Sequence, residues 1–211
     1  MQFDMRTLPL LARYKIINST ITPRPIAWVT TISRDGIGNT APFSFFNAVG
    51  DDPPLVVLGL LKHPVTGEMK ATARNITSTG EFVVNLVSEH DAERMNLCSV
   101  DAPSHIDEAQ KVGLEMIPSA VVRPPRIASS PVGFECRNLV ALDIGSRQTV
   151  ILGEILVAHI ADEFILDANK FYLDTPAMKL IGRMHGTGWY TRASSDMFKM
   201  ERPTAFPDER A

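Results

Sequence analysis

Runs of β-branched and aromatic residues, each closed by a turn signal, recur along most of the chain and constrain the fold more than any other feature. Residues 26–33 read Ile-Ala-Trp-Val-Thr-Thr-Ile-Ser, a strand by composition. Arg34-Asp35-Gly36 follows with the Asp-Gly pair that favours a tight hairpin. A second strand is predicted over residues 39–49, ended by Asp51-Asp52-Pro53-Pro54. Residues 55–61 are nearly all apolar, which predicts a strand buried on both faces. Residues 68–78 are polar and helix-compatible, Thr79-Gly80 stops them, and 81–87 returns as a strand. Ser88 and Ser104 each stand three residues before an aspartate, Asp91 and Asp107, a helix-start signature that predicts short helices over 89–99 and 105–112. A proline-rich connection, 118–131, leads to two long strands, 133–144 and 149–161, and residues 180–203 are rich in Gly, Arg and aromatics. Strands dominate and helices are inserted between them rather than alternating with them. The expected fold is therefore mainly β, an antiparallel barrel with short peripheral helices, its 211 residues forming one domain.

Charge and composition remove several function classes. The net charge is −3, so there is no basic field for nucleic acid or an anionic membrane. The longest apolar runs are strand-length and too short to span a bilayer. The first eleven residues carry both acid and base and lack the apolar core of a signal peptide, so a cytoplasmic location is expected. Cys98 and Cys136 lie too far apart for a two-cysteine metal knuckle, and reduced thiols are the expectation for that compartment, with a disulfide left open. Of the five histidines, no two have the spacing that lets one helix face or strand present paired ligands. No metal site is expected.

Gly36-Ile37-Gly38-Asn39-Thr40-Ala41 matches a relaxed dinucleotide fingerprint, but that motif needs a helix to follow, and Pro42 with Phe43-Ser44-Phe45-Phe46 continues as strand. The hairpin reading wins. Within residues 39–48, alternation puts Thr40, Pro42, Ser44 and Phe46 on one face and Ala41, Phe43, Phe45 and Asn47 on the other. Both faces mix polar groups with aromatic rings, a pattern open to a flat amphipathic ligand or to a half-buried edge strand. Lys70-Ala71-Thr72-Ala73-Arg74-Asn75 stands at a predicted helix start, where free N–H groups and the dipole favour a phosphate; an ordinary solvated face is the other reading. Gly182-Arg183-Met184-His185-Gly186-Thr187-Gly188-Trp189-Tyr190 is glycine-rich, basic and aromatic, suited either to covering a planar ring or to a plain surface loop.

Taken in order, Pro23-Arg24-Pro25-Ile26-Ala27-Trp28-Val29-Thr30-Thr31, Asp35-Gly36, residues 39–47, Asp52-Pro53-Pro54, residues 70–76 and residues 79–86 resemble the flavin-reductase-like, split-barrel FMN-binding family. The likeness is strongest over residues 20–90, looser through the two long strands, and returns at 182–190. It implies a split, six-stranded Greek-key barrel, held as a homodimer with one FMN per subunit near the interface. Carried over position by position, Trp28, Val29 and Thr30 would meet the isoalloxazine edge, largely through backbone. Asn39, Ala41, Ser44, Phe45 and Asn47 would line ring, ribityl chain and phosphate. Lys70, Thr72 and Asn75 would hold the phosphate. The family often has Lys-Asp-Thr where this chain has Lys70-Ala71-Thr72, a loss of acid that should not weaken anion binding.

The activity that the resemblance implies is hydride transfer from NADH or NADPH to FMN, with FAD as an alternative flavin, and onward release of electrons to free flavin, iron or a partner monooxygenase. Such transfer needs reacting atoms about 3–3.5 Å apart. His185 is the residue expected to contact nicotinamide or acceptor; no protein nucleophile is required. The alternatives are a flavoredoxin-like electron carrier reduced by another protein and a non-catalytic flavin-binding module.

Overall fold

A computed structural model describes residues 1–202. The tail expected over 180–211 is therefore seen up to 202, and its last residues lie outside the described part.

The chain opens with helix α1 (Leu10–Thr20), followed by the short β1 (Arg24–Pro25), β2 (Ala27–Ile32), β3 (Gly38–Phe43), β4 (Phe46–Asp51) and β5 (Pro54–Leu61). Helix α2 (Ala71–Thr79) leads to β6 (Glu81–Leu86), then α3 (Ala92–Leu97), α4 (Glu108–Lys111), and the paired stubs β7 (Met116–Ile117) and β8 (Arg126–Ile127). The long strands β9 (Val132–Ile144) and β10 (Gln148–Ile160) come next, with the small ribbon β11 (Ile165–Asp167) and β12 (Tyr172–Leu173). The described chain ends in a hairpin of β13 (Ile181–Arg183) and β14 (Tyr190–Arg192), whose first strand also pairs with β1.

Seven strands rather than six form the main sheet, in the antiparallel order β3-β2-β6-β9-β10-β5-β4. The two strands that are consecutive in the chain, β3 and β4, thus stand at opposite ends of the order. Ser44 and Phe45 carry the chain between them, and the Phe45 carbonyl accepts from the Gly59 N–H at 2.7 Å, extending the β4–β5 ladder by one rung. This corrects the single strand expected over 39–49: the alternation of faces holds only to Phe43. The β2–β3 hairpin turns as expected, with Gly36 at φ +84°, a left-handed conformation that favours glycine. Strand β5 alternates, with Val56, Leu58 and Leu60 buried and the residues between them partly covered, so it is not buried on both faces.

Two packed clusters sit on either side of β2. Ala27 and Val29 point into the barrel with Leu58, Leu60, Phe82, Val84 and Ile151, closed on one side by Ala73 and Ile76 of α2. Ile26 and Trp28 point the other way, into a layer with Val87, Met95, Cys98, Leu114, Ile127 and Ile181. A helix was not expected at α1, and the helices over 89–99 and 105–112 are shorter, a 3₁₀ turn over Glu89–Asp91 running into α3, and α4 alone. Asp107, not Ser104, caps α4, accepting from the N–H groups of Ala109 and Gln110; Ser88 makes no capping bond. Among the described residues no helix is long and apolar enough to cross a membrane.

Candidate functional site

Helix α2 starts without a side-chain cap, as α1 and α3 also do. Its N-cap residue is Lys70, in extended backbone, with no side chain capping the first turn and no acid within it. Its first N–H groups thus carry unsatisfied positive polarity, which attracts an anion. They open onto a cleft of about 550 Å³ between the edge strand β3, the start of α2, and the segment 98–104. Thr72, inside this cleft, accepts at Oγ1 from the Asn39 amide at 2.8 Å, which leaves its own O–H to donate. Asn75, one turn on, donates to Thr31 Oγ1 at 3.0 Å and so ties α2 to β2. Arg74 lines the same cleft.

Two carboxylates balance these donors. Asp101 Oδ1 lies 2.6 Å from the Lys70 ammonium. Glu108 accepts from the Thr40 N–H at 2.9 Å, occupying the open edge of β3. Burial pushes the Glu108 carboxyl above the usual carboxylate range, with the Thr40 N–H opposing and Asp107 adding to the rise. Cys98 also faces the cleft, and burial raises its thiol to about 11, so it is an inert wall at neutral pH. Beyond Asn39 and Arg74 a smaller hollow of about 270 Å³ continues past Asn75 and Asp35.

On the other side, the cleft shares Pro42, Phe43 and Ser99 with a third hollow of about 320 Å³. Tyr14, Ser44, Arg183 and Tyr190 line it, with the Arg183 guanidinium 4.7 Å above the Tyr190 ring. Arg24, itself only 6% exposed, organises this end. Its guanidinium donates to the carbonyls of Asn18 (2.9 Å), Ile21 (2.7 Å) and Met184 (3.1 Å) and reaches Ser44 Oγ at 3.4 Å. One buried side chain thus joins the end of α1, the turn before β4 and the C-terminal hairpin.

Of the residues expected at a flavin, Asn39, Ala41, Lys70 and Thr72 meet in the large cleft, Asn39 and Asn75 also line the hollow beyond it, and Ser44 lines the adjoining one. Phe45 sits at the seam, packed edge-on to Tyr14 with ring centroids 6.4 Å apart. Trp28, Val29 and Thr30 do not reach the cleft. Their backbones pair with β3 on one side and β6 on the other, and their side chains are buried, Thr30 donating to the Pro125 carbonyl at 2.6 Å. An interior strand has both backbone edges engaged in its ladders. Asn47 is exposed on β4, at the far end of the sheet order, and lines none of these hollows. His185 is exposed at the tip of the C-terminal hairpin, its ring stacked near-parallel on Trp189 at 6.3 Å, beside the hollow that Arg183 and Gly188 line. Sequence reasoning missed Arg24, Asp101 and Glu108. Arg24 had a signal in its two flanking prolines; the two acids had none, since nothing local marks a carboxylate that meets a strand edge or a lysine many residues away.

Comparison with known proteins agrees with this geometry. A protein of Deinococcus radiodurans described only as uncharacterized is 42% identical over 206 residues, covering 96% of this chain and 89% of its own. Among solved structures, a 2-nitrobenzoate 2-nitroreductase from Pseudomonas fluorescens superposes with a TM-score of 0.87 at 34% identity, covering 98% of each chain. Nitrilotriacetate monooxygenase component B from Bacillus cereus does so with 0.88 at 27% identity, covering 95% of this chain and 98% of its own. The family model described as flavin reductase like domain matches residues 19–174. With its antiparallel split barrel and a trench that begins at an uncapped helix, the chain belongs to the flavin reductase like domain family.

Proposed function

We propose that the protein binds FMN along this trench and serves as a flavin-dependent oxidoreductase that takes a hydride from NADH or NADPH and passes electrons to free flavin, a partner monooxygenase or a small organic acceptor. The observation that carries the reading is the uncapped start of α2, where Lys70, the Thr72 hydroxyl and bare backbone N–H groups converge with no acid in the first turn. Helix starts of this kind favour phosphate by about 0.3–1 kcal/mol, and up to ~2 in partly buried settings. The trench then runs past Phe43 to Ser44 and Tyr190, an amphipathic lining that fits a polar chain followed by a flat ring. A bound flavin would supply the two-electron chemistry.

The chain's own residues bind and orient. Asn39, buried and pinned to Thr72, aims that hydroxyl at the anion. Glu108 keeps the edge of β3 closed to a competing strand. Arg24 fixes the hairpin that bears His185, the residue assigned to the nicotinamide or acceptor. FAD is the alternative cofactor, its additional nucleotide directed at the hollow lined by Asp35 and Arg74. The 2-nitrobenzoate reductase similarity supports a small aromatic acceptor, and the component B similarity a monooxygenase partner. A homodimer is part of the same reading: Leu139, Leu142 and Ile144 of β9 are exposed together with Leu156 of β10, an apolar sheet face that a second copy would cover.

Anaerobic titration with NADH and with NADPH tests the proposal. Bleaching of the flavin band by one nucleotide is the expected result; bleaching by neither would leave only the electron carrier or the flavin store. His185→Ala should slow flavin reduction about two- to tenfold, the effect of one lost hydrogen bond, with flavin content intact. An unchanged stopped-flow rate removes His185 from the site.

A further inference from the structure

At the opposite reach of β9 and β10 lies a cavity of about 440 Å³ that has no lining residue in common with the flavin trench. Gly133 and His159 face each other across the β9–β10 ladder there, so a side chain at either position leaves the same face of the sheet. The Gly133 position is roofed by Arg126, whose Cδ would lie 3.3 Å from a Cβ placed on that glycine. Arg126 and His159 therefore stand side by side in the wall, with Ile127, Ile160 and Ile165 supplying apolar surface.

The polar accounting of this pair is uneven. His159 Nε2 is 2.6 Å from Glu135 Oε1. Glu135 is wholly buried, and it also accepts from three successive backbone N–H groups, those of Ala120 (2.6 Å), Val121 (2.7 Å) and Val122 (3.2 Å). Its lone pairs are fully engaged, so it holds the imidazole in place and is not free to neutralise Arg126. Arg126 donates one bond, from Nη2 to the Pro118 carbonyl at 3.2 Å, and its Nε is buried with no partner. Among the described residues it makes no ion pair. The buried Nε faces protein and not the cavity; the open donors are those of the Nη end, where Nη1 carries no bond, and there a ligand supplying two acceptor oxygens would dock.

We propose that this cavity is a second small-molecule site, for an organic carboxylate with an apolar body, anchored on the Arg126 fork and oriented by His159. Guanidinium and carboxylate match in geometry, two parallel N–H···O bonds, where a single neutral acceptor would satisfy one donor. The isoleucines take the remainder of the ligand, and the free Nδ1 of His159 gives it a second polar contact. The site stands apart from the flavin reading, since it uses none of that trench's residues.

Titration calorimetry with benzoate on the full chain, with and without saturating FMN, tests it. The expected result is one saturable site per chain, unaffected by FMN. Benzamide, isosteric but uncharged, should bind at least about tenfold more weakly, as should benzoate to Arg126→Met, the effect of one charge-assisted interaction. Arg126→Lys, which keeps the charge and loses the fork, should fall between. Absence of saturable heat, equal binding of benzamide, or competition by FMN would each overturn the proposal. The benzamide and FMN comparisons use the unaltered protein, so they decide the matter even if a variant fails to fold.

Discussion

Lys70 and Asp101 offer a test in which two substitutions at one contact move binding in opposite directions. The ammonium lies 2.6 Å from Oδ1, with the lysine side chain 39% and the aspartate 68% exposed. A pair so open to water is worth about 0.2–1 kcal/mol. A charge-assisted bond from Lys70 to a phosphate is worth about 1.5–3 kcal/mol, so the lysine gains by leaving Asp101 for the ligand. Asp101→Asn removes what must be broken first and should tighten FMN up to about fivefold. Lys70→Met should weaken it between about ten- and a hundredfold. Because the influence of Asp101 runs through Lys70, the double variant should bind like Lys70→Met alone. Flavin fluorescence during titration with apoprotein reads all three, and riboflavin, which lacks the phosphate, is the control: its affinity should ignore both substitutions. Raising salt from 0.1 to 1 M shortens the screening length from about 10 to about 3 Å and should erase most of the Asp101→Asn gain. Wild-type FMN affinity in Lys70→Met, or an equal loss for riboflavin, would refute a phosphate at the head of α2.

Three further outcomes follow from contacts elsewhere in the fold. Burial opposes ionisation of Glu135, but the three N–H groups and His159 outweigh it and hold the carboxyl below its ordinary value of 4.5. Its stabilisation is therefore complete above that value and is lost as pH falls through the lower, folded one. Glu135→Gln should lose about 1–3 kcal/mol in urea unfolding at neutral pH, and the gap should close in acid; a gap independent of pH would rule out the charged form. A Cβ at Gly153 would drive into the ring of Phe82, 2.9 Å from Cε1, and that ring is fully buried. Gly153→Ala should cost about 1–3 kcal/mol and be partly rescued by Phe82→Leu; thermal melts at wild-type temperature would show that β10 yields instead. Cys98 and Cys136 are free and buried in separate clusters, with burial raising both thiols. Neither should react with DTNB at mildly alkaline pH until the protein unfolds, and fast labelling of the native state would contradict the packing.

What could be read from the sequence was what is local. β2, β6, β9 and β10 announce themselves because β-branched runs between turn signals have few other uses, and Asp35-Gly36 set the β2–β3 hairpin as the turn chemistry demands. α1 stayed hidden: Leu10, Tyr14 and Ile17 share one face at i, i+4 and i+7 but that face is exposed, Ile16 stands away from it, and Pro9 supplies no side-chain cap. The break at Ser44-Phe45 has no glycine or proline to mark it; it exists because the two ends of the sheet must meet, a fact of pairing and not of composition. The site followed the same division. Lys70 and Thr72 were legible from the helix-start rule. Trp28, Val29 and Thr30 lie under neighbouring strands on both sides, a fact no motif carries, since a motif shows which residues travel together but not which of them a neighbouring strand covers. Asn39 and Thr72 meet across 33 positions.

The two residues that carry β3 into β4 are the clasp of a ring whose other joints are ladders of hydrogen bonds. A link of two residues holds the end of β3 close to the start of β4, and Phe45 ties that link to β5 through Gly59. Ser44, next to Phe45, also lines the hollow that adjoins the cleft at α2. A ligand held against Ser44 would act as a rivet on that short link, and hydrogen exchange at Gly59, whose N–H donates to the neighbouring Phe45 carbonyl, would report its presence.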